Sequence, residues 1–364
     1  MKATRKIYIL ISDLGLGGAE RVMLALAKQF AQTHDVEFIC LRKNGALLAE
    51  LPENTSVRFL NSASSGRMPL VVHGFLGIRK IFYSDQTSII ISTGTGTSLL
   101  ACTARLFAPK GTSLIIREAC SSKNSKNWMI SLLKRFLYSR ADGCIGVSDG
   151  VAKELAELTH GKVAVASIPN PIDVVKTKQL AESIDDPLAN FPHSYVLTVG
   201  RLVSQKNTAM LIDAYAGVAD AVIEHLVIIG AGPLEAELKQ RIAGHGLDSK
   251  IHLLGEVTNP HPWYKRASAF VLCSDSEGYP NVLLEALAHG LPVVSTDCDF
   301  GPRQILENGR YGKLVKVGDV DGMADAIQMI LKSNTAFDDW DAERFNAPAI
   351  ASRYVAFMEG CRYG

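Results

Sequence analysis

Ser274-Asp-Ser-Glu-Gly-Tyr-Pro-Asn-Val-Leu-Leu-Glu-Ala-Leu-Ala-His-Gly290 sets Glu277 and Glu285 eight positions apart across a loop that enters a helix. A Gly-x-Pro loop running into an apolar helix leaves backbone N–H groups unpaired at the helix N-terminus. Hydrogen bonds and the helix dipole both favour a phosphate there. Glu277 stays in the loop, and Glu285 falls one to two turns inside the helix. A ligand with a phosphate in its middle then meets a hydroxyl acceptor at each end, and a nucleotide sugar has that layout: sugar, pyrophosphate, ribose. The pair alone fits equally well an ordinary helix start with one solvated and one buried glutamate.

Two further segments weight the first reading. Gly200-Arg201 follows the run Ser194-Tyr-Val-Leu-Thr-Val199, with Lys206 at the start of the next helix. Arginine offers a planar fork of donors and lysine a compact charge, a combination suited to a pyrophosphate at the carboxyl end of a strand. Leu226-Val-Ile-Ile-Gly-Ala-Gly-Pro-Leu234 is a buried strand running through Gly230 and Gly232 into a helix with proline near its start.

In this order the segments resemble the retaining, nucleotide-sugar-dependent glycosyltransferases of family 4, which have the GT-B fold. At the amino end, Ile7-Tyr-Ile-Leu-Ile11 followed by Leu14-Gly-Leu-Gly-Gly-Ala-Glu-Arg21 is similar to the glycine loop that this family closes over the donor phosphates. The resemblance covers nearly the whole chain. It implies an α/β protein of two Rossmann-like, doubly wound parallel-sheet domains facing across a cleft. Arg201, Lys206 and Glu277 are then the catalytic set. Donor contacts fall on Gly17, Gly18, Gly200, Gly230, Gly232, Gly278, Tyr279, Asn281, Val282 and Glu285. UDP is the expected nucleotide, with the sugar open among GalNAc, GlcNAc, Gal and Glc. No metal or other cofactor is expected, because in this family the Arg/Lys pair and a helix dipole take its place.

Composition agrees. At 364 residues and 47% hydrophobic content the chain can bury two ordinary cores. Seven cysteines without a C-x-x-C pair speak against a disulfide framework or zinc ribbon and suit a reducing cytoplasm. The first apolar run is too short for a secretory signal, and no stretch is long and apolar enough to span a bilayer. Apolar strand-like runs alternate with amphipathic stretches throughout, the pattern of doubly wound parallel sheets. Strands are expected near 6–12, 35–41, 56–60, 88–92, 112–117, 142–147 and 163–168, then near 194–199, 225–230, 250–254, 269–273, 291–295 and 313–317. Ile168-Pro-Asn-Pro-Ile-Asp173 breaks the pattern, since two prolines prevent a helix from continuing. The expected domains are 1–172, on the acceptor side, and 173–347, on the donor side, with a final helix at about 348–364 crossing back to the first.

The net charge of +1 hides an asymmetry: residues 54–141 hold twelve Lys/Arg against only Asp85 and Glu118. A basic region asks for an anionic partner. No helix-turn-helix, zinc-finger or aromatic RNA-binding pattern accompanies it, which speaks against nucleic acid. Trp128, Met129, Ile130, Leu132, Leu133, Phe136 and Leu137 share a helical segment, 127–140, with Lys134, Arg135 and Arg140. Such a helix suits the interface of an anionic bilayer; alternatively its apolar side is core and its basic side simply solvated.

A nicotinamide-dependent oxidoreductase is the reading from another enzyme class. Its fingerprint fails, because Glu20, Leu99 and Glu235 stand where the third glycine belongs. Asp297-x-Asp299, Asp319-x-Asp321 and Asp339-x-Asp341 match a metal-binding D-x-D pattern, and only the first is expected near a cleft. Thr296-Asp-Cys-Asp-Phe-Gly-Pro-Arg-Gln-Ile305 resembles family members that extend lipid-linked glycan, capsule or O-antigen chains. Gln304 stands where those often have a glutamate. Arg117-Glu118 falls at a strand end where related enzymes line the acceptor side. The expectation is therefore a glycosyltransferase acting on a lipid-linked or other glycan acceptor, peripheral on the cytoplasmic face of the plasma membrane. A soluble acceptor is the alternative, and a non-catalytic nucleotide-sugar-binding protein the minor one.

Overall fold

A computed structural model describes residues 5–15, 17–60, 67–85, 87–109, 111–120, 128–182, 191, 193–333 and 339–361. Lys110, Lys123 and Lys126, counted above in the basic segment, lie outside them, as does the side chain of Arg67. The chain divides into two units, 1–171 with 343–364, and 172–342.

In the first unit the elements run β1 (Lys6–Ile11), α1 (Gly18–Phe30), β2 (Asp35–Cys40), β3 (Thr55–Phe59), α2 (Arg67–Ser84), β4 (Ile89–Thr93), α3 (Thr95–Leu106), β5 (Ser113–Glu118), α4 (Trp128–Tyr138), β6 (Gly143–Gly146), α5 (Asp149–Leu158) and β7 (Ala164–Ser167). All strands are parallel, in the order β3-β2-β1-β4-β5-β6-β7, with Ile7 opposite both Val36 and Ile89. The interior strands β4 and β5 are buried at every position. Helices on both faces of a parallel sheet require that, and it is why these strands read as unbroken apolar runs.

The second unit runs α6 (Val174–Ala181), β8 (Tyr195–Val199), α7 (Thr208–Ala216), β9 (His225–Ile229), α8 (Glu235–Gly244), β10 (Ile251–Gly255), α9 (His261–Arg266), β11 (Ala269–Leu272), α10 (Asn281–Ala288), β12 (Val293–Thr296), α11 (Pro302–Ile305), β13 (Lys313–Val315) and α12 (Val320–Ser333). Its sheet is parallel in the order β10-β9-β8-β11-β12-β13. The last helix, α13 (Ala347–Gly360), packs on the first unit. Ile350, Tyr354 and Met358 enter its core, with the Tyr354 ring 6.2 Å from Phe30 of α1. The α/β class with two parallel sheets is as the sequence indicates, and each expected strand has its counterpart.

Strand order reverses between β1 and β4 in one sheet and between β8 and β11 in the other. In open parallel sheets the ligand crevice lies outside the carboxyl ends of the strands at such reversals.

Candidate functional site

At the reversal of the second sheet, the loops after β8 and β11 are laced together. Gln205 Nε2 donates to the Ser276 carbonyl at 2.7 Å, and the Asp275 amide donates to the Gln205 carbonyl at 2.9 Å. Asn207 caps α7 by accepting from the Met210 amide while its Nδ2 donates to Asp275 Oδ1 at 2.7 Å. It holds a left-handed backbone at φ 45°, a conformation asparagine tolerates better than most residues. This frame brings Lys206 Nζ to 2.5 Å from Glu277 Oε1. Glu277 is buried, and the same oxygen accepts from Ser274 Oγ at 2.6 Å, while Thr296 Oγ1 holds the Ser274 carbonyl from the next strand. Arg201, one residue past Gly200, is exposed, and among the described residues its guanidinium has no hydrogen-bond or ion-pair partner. Two of the three candidate catalytic residues thus meet at one strand reversal, a cation and a carboxylate joined, and Arg201 lies exposed in the same loop after β8.

The glycines of the site have packing reasons of their own. Gly230 sits at φ 142°, and a Cβ there would lie 1.8 Å from the Gly200 carbonyl oxygen; at Gly232 it would lie 2.3 Å from that of Leu202. Both glycines let the β9 loop lie on the β8 loop, so they shape the site whether or not they touch a ligand. The stem of Lys206 runs past Gly200. Gly278 and Tyr279 are buried, and Pro280 leads into α10, whose first turn holds Asn281 and Val282. Glu285, half-buried on α10, lies beside Tyr264 of α9; burial first, and then this carboxylate, push the Tyr264 phenol well above its ordinary range. Gln304 is half-buried in α11, next to α10.

In the first unit, Gly17 caps α1 and the Glu20 carboxylate folds back against it. Burial and Asp13 raise the Glu20 carboxyl, partly offset by its own backbone amide and by Arg117. Arg117 and Glu118 end β5 and are both buried. Arg117 donates to Tyr354 Oη at 3.0 Å, Thr93 Oγ1 at 3.0 Å and Asn170 Oδ1 at 2.6 Å, clamping two strand ends and α13. Glu118 accepts from Tyr138 and pairs with Lys134 at 3.1 Å. An acceptor touching either residue has to compete with these bonds.

The structure corrects the reading of α4. Lys134 is buried against Glu118, whereas Trp128, Met129, Leu132, Leu133 and Phe136 are exposed. Of the apolar residues only Leu137 is buried, with Tyr138 beside it, so most of the apolar side is not core, and the solvent-facing cations near it are Arg135 and Arg140. Among the described residues no helix is long and apolar enough to cross a membrane, and no group of three or more His, Cys, Asp or Glu is placed to hold a metal ion. Asp297 of the first D-x-D pair is engaged by Arg303.

Tyr264, Ser274, Gln205 and Asn207 went unread in the sequence. Only Ser274, three residues before Glu277, carries a local signal. The histidines of this unit also matter, for stability. His225 Nδ1 and His252 Nε2 share a hydrogen bond of 2.8 Å under the stacked His193 ring. Burial first, then neighbouring histidines, lower both. His289, at the end of α10, is pushed down to about 4 by burial and then by Lys178 and Lys265. The folded state prefers these rings neutral, so the unfolded chain binds more protons below its ordinary value of 6.5. The stability that neutral His289 contributes is full above pH 6.5 and is lost as pH falls toward 4. Calorimetric unfolding temperatures should drop across that window and less so in His289→Phe; an unchanged temperature would refute the assignment.

Comparison with known proteins bears on the geometry. Residues 16–176 match the family described as Glycosyltransferase Family 4, and residues 193–333 the one described as Glycosyl transferases group 1. A Campylobacter jejuni protein, N-acetylgalactosamine-N,N'-diacetylbacillosaminyl-diphospho-undecaprenol 4-alpha-N-acetylgalactosaminyltransferase, is 30% identical over 348 residues, 91% of each chain. A second from that organism, GalNAc-alpha-(1->4)-GalNAc-alpha-(1->3)-diNAcBac-PP-undecaprenol alpha-1,4-N-acetyl-D-galactosaminyltransferase, is 28% identical, covering 90% of this chain and 89% of its own. Among solved structures, Anabaena HepE in complex with UDP and glucose superposes with a TM-score of 0.81 at 20% identity, over 98% of this chain and 100% of that one.

Proposed function

The chain belongs to glycosyltransferase family 4 and has the GT-B fold, and on that premise we propose that it is a retaining enzyme moving a hexose or N-acetylhexosamine from a UDP-sugar to a lipid-linked glycan acceptor in bacterial glycan biosynthesis. The observation that carries this reading is the Lys206–Glu277 pair at the β8/β11 reversal, with Arg201 exposed in the same loop after β8. As UDP leaves the anomeric carbon, negative charge grows on its β-phosphate. Lys206, held by Glu277, and the solvent-exposed Arg201 meet that charge, assisted by the N-terminus of α10, so the step needs no metal. Glu277, held by Ser274, faces the transferred sugar, and Glu285, beside Tyr264, takes the ribose hydroxyls. The two Campylobacter relatives are named for undecaprenol-diphosphate-linked acceptors, which supports the same class here. HepE, solved with UDP, supports the nucleotide.

A lipid-linked acceptor places the enzyme at a membrane, peripherally and on its cytoplasmic face, through the first unit. The exposed apolar stripe of α4 would enter the interface while Arg135 and Arg140 meet anionic headgroups. One experiment tests donor and membrane together. UDP-sugars should raise the unfolding temperature where GDP- and ADP-sugars do not, since a ligand of the native state alone stabilises it. In the same preparation, binding to anionic vesicles should fall with salt and with Arg135→Glu/Arg140→Glu, while UDP protection stays. Protection by none of the nucleotide sugars refutes the donor assignment; equal binding to neutral vesicles, or none to either, favours a soluble acceptor.

A further inference from the structure

The first unit encloses a cavity of about 800 Å³ at the carboxyl ends of β1 and β4, where its sheet order reverses. Its wall is mainly apolar, with Phe75 and Leu76 from α2, Leu99 and Leu100 from α3, and Phe107 just beyond. One end is polar, formed by Ser12, Glu20, Arg42, Thr93 and the first turn of α3 at Thr95 to Thr97, and burial raises the Glu20 carboxyl, which eases the approach of an anion. A sugar or nucleotide carries polar groups all round and would leave many of them unpaired against such a wall. The cavity asks instead for a ligand apolar along most of its length and polar or anionic at one end.

Its surroundings identify the source. α2, α3 and α4 pack in succession in the first unit. Most of the large apolar side chains exposed among the described residues lie here, among them Val71 and Leu76 on α2, Phe107, and Trp128 and Leu132 on α4. Every exposed charged side chain described between residues 70 and 140 is basic: Arg79, Lys80, Arg135 and Arg140. Apolar side chains set among cations complement an anionic lipid surface, whereas a second copy of this chain would bring the same charges and be repelled. Val71, Leu76 and Phe107 are both exposed and part of the cavity wall, so the cavity opens within this layer.

We propose that the cavity is a slot for the head-proximal part of an isoprenoid chain, with the attached diphosphate at Ser12, Arg42 and the start of α3. The proposal rests on the lipid-linked acceptor reading above and adds to it that the enzyme itself grips the lipid chain.

The test is calorimetric titration of the full chain, with UDP saturating so that the donor site is filled, using inorganic pyrophosphate, geranyl diphosphate and farnesyl diphosphate below their aggregation concentrations. Affinity should rise in that order, by roughly tenfold or more between the two prenyl ligands, because five further carbons leave water. Leu76→Glu and Phe107→Glu place charge at exposed positions of the mouth, so the fold is retained, and each should abolish the dependence on chain length. Equal affinities for the three ligands, or an unchanged dependence in both variants, would overturn the proposal. So would concentration-dependent self-association of the native chain that the same variants abolish, since a second copy would then cover the face. UDP binding, measured separately in each variant, keeps the readings apart: its absence refutes the donor site and leaves the cavity result intact.

Discussion

Replacing Lys206 or Arg201 with alanine is expected to slow sugar transfer by about 100-fold or more, the loss typical of one preorganised group facing charge that develops in a transition state. The two variants should differ in everything else. Arg201 is exposed and unpaired among the described residues, so Arg201→Ala should keep the native unfolding temperature. Lys206 neutralises Glu277, whose side chain is only 9% exposed. Its removal strands a largely buried carboxylate with Ser274 as its recorded partner, and breaking such a pair costs up to about 3–5 kcal/mol when burial is complete. Lys206→Ala should therefore be both slow and less stable. Lys206→Arg should not restore the rate, because the planar fork cannot occupy the place of a compact ammonium against Glu277 Oε1. Single-turnover kinetics with thermal melts on the same samples check this, and near-native transfer in both alanine variants would remove the pair from the mechanism.

The contrast between these two cations shows what the sequence makes legible. Both stand after β8 in a segment whose apolar run, glycine and basic residues are contiguous, so their place at a strand end can be read directly. The strands themselves are legible for a related reason: a parallel sheet covered on both faces requires unbroken apolar runs, and each stands out between turns. The ion pair to Glu277 is not legible, because its partners are 71 residues apart in the chain and meet only through the adjacency of β8 and β11. Tyr264 beside Glu285 and the histidine pair across β9 and β10 are long-range in the same way.

Helix α4 shows a different limit. Its amphipathic period is clear in the sequence, but periodicity does not say which side faces inward. Glu118 pairs with Lys134, whose ammonium lies over the Tyr138 ring, so the helix turns a basic residue in and leaves Trp128 and Leu132 out. The burial of Arg117 likewise follows from Thr93, Asn170 and Tyr354, each on a different segment.

The two glutamates of the opening motif should separate binding from chemistry. Glu285 sits on a helix, half-buried next to Tyr264, and is expected to hold the ribose hydroxyls. Hydrogen bonds to a charged group are worth about 1.5–3 kcal/mol, so Glu285→Ala should weaken UDP binding by roughly 10- to 100-fold. Glu277 differs because it holds Lys206, the cation proposed to meet the leaving phosphate. Removing its charge takes a negative group away from the phosphates, so Glu277→Ala should bind free UDP as well as the native chain does or slightly better. Transfer should nonetheless fall about 100-fold or more, since the sugar loses its carboxylate and Lys206 loses the bond that positions it. Glu277→Gln keeps the shape of the side chain and should be as slow, which distinguishes loss of charge from loss of packing. Titration calorimetry with UDP and transfer rates from a UDP-sugar decide the matter: weakened UDP binding in Glu277→Ala with native affinity in Glu285→Ala would exchange the two roles and place the transferred sugar at the helix.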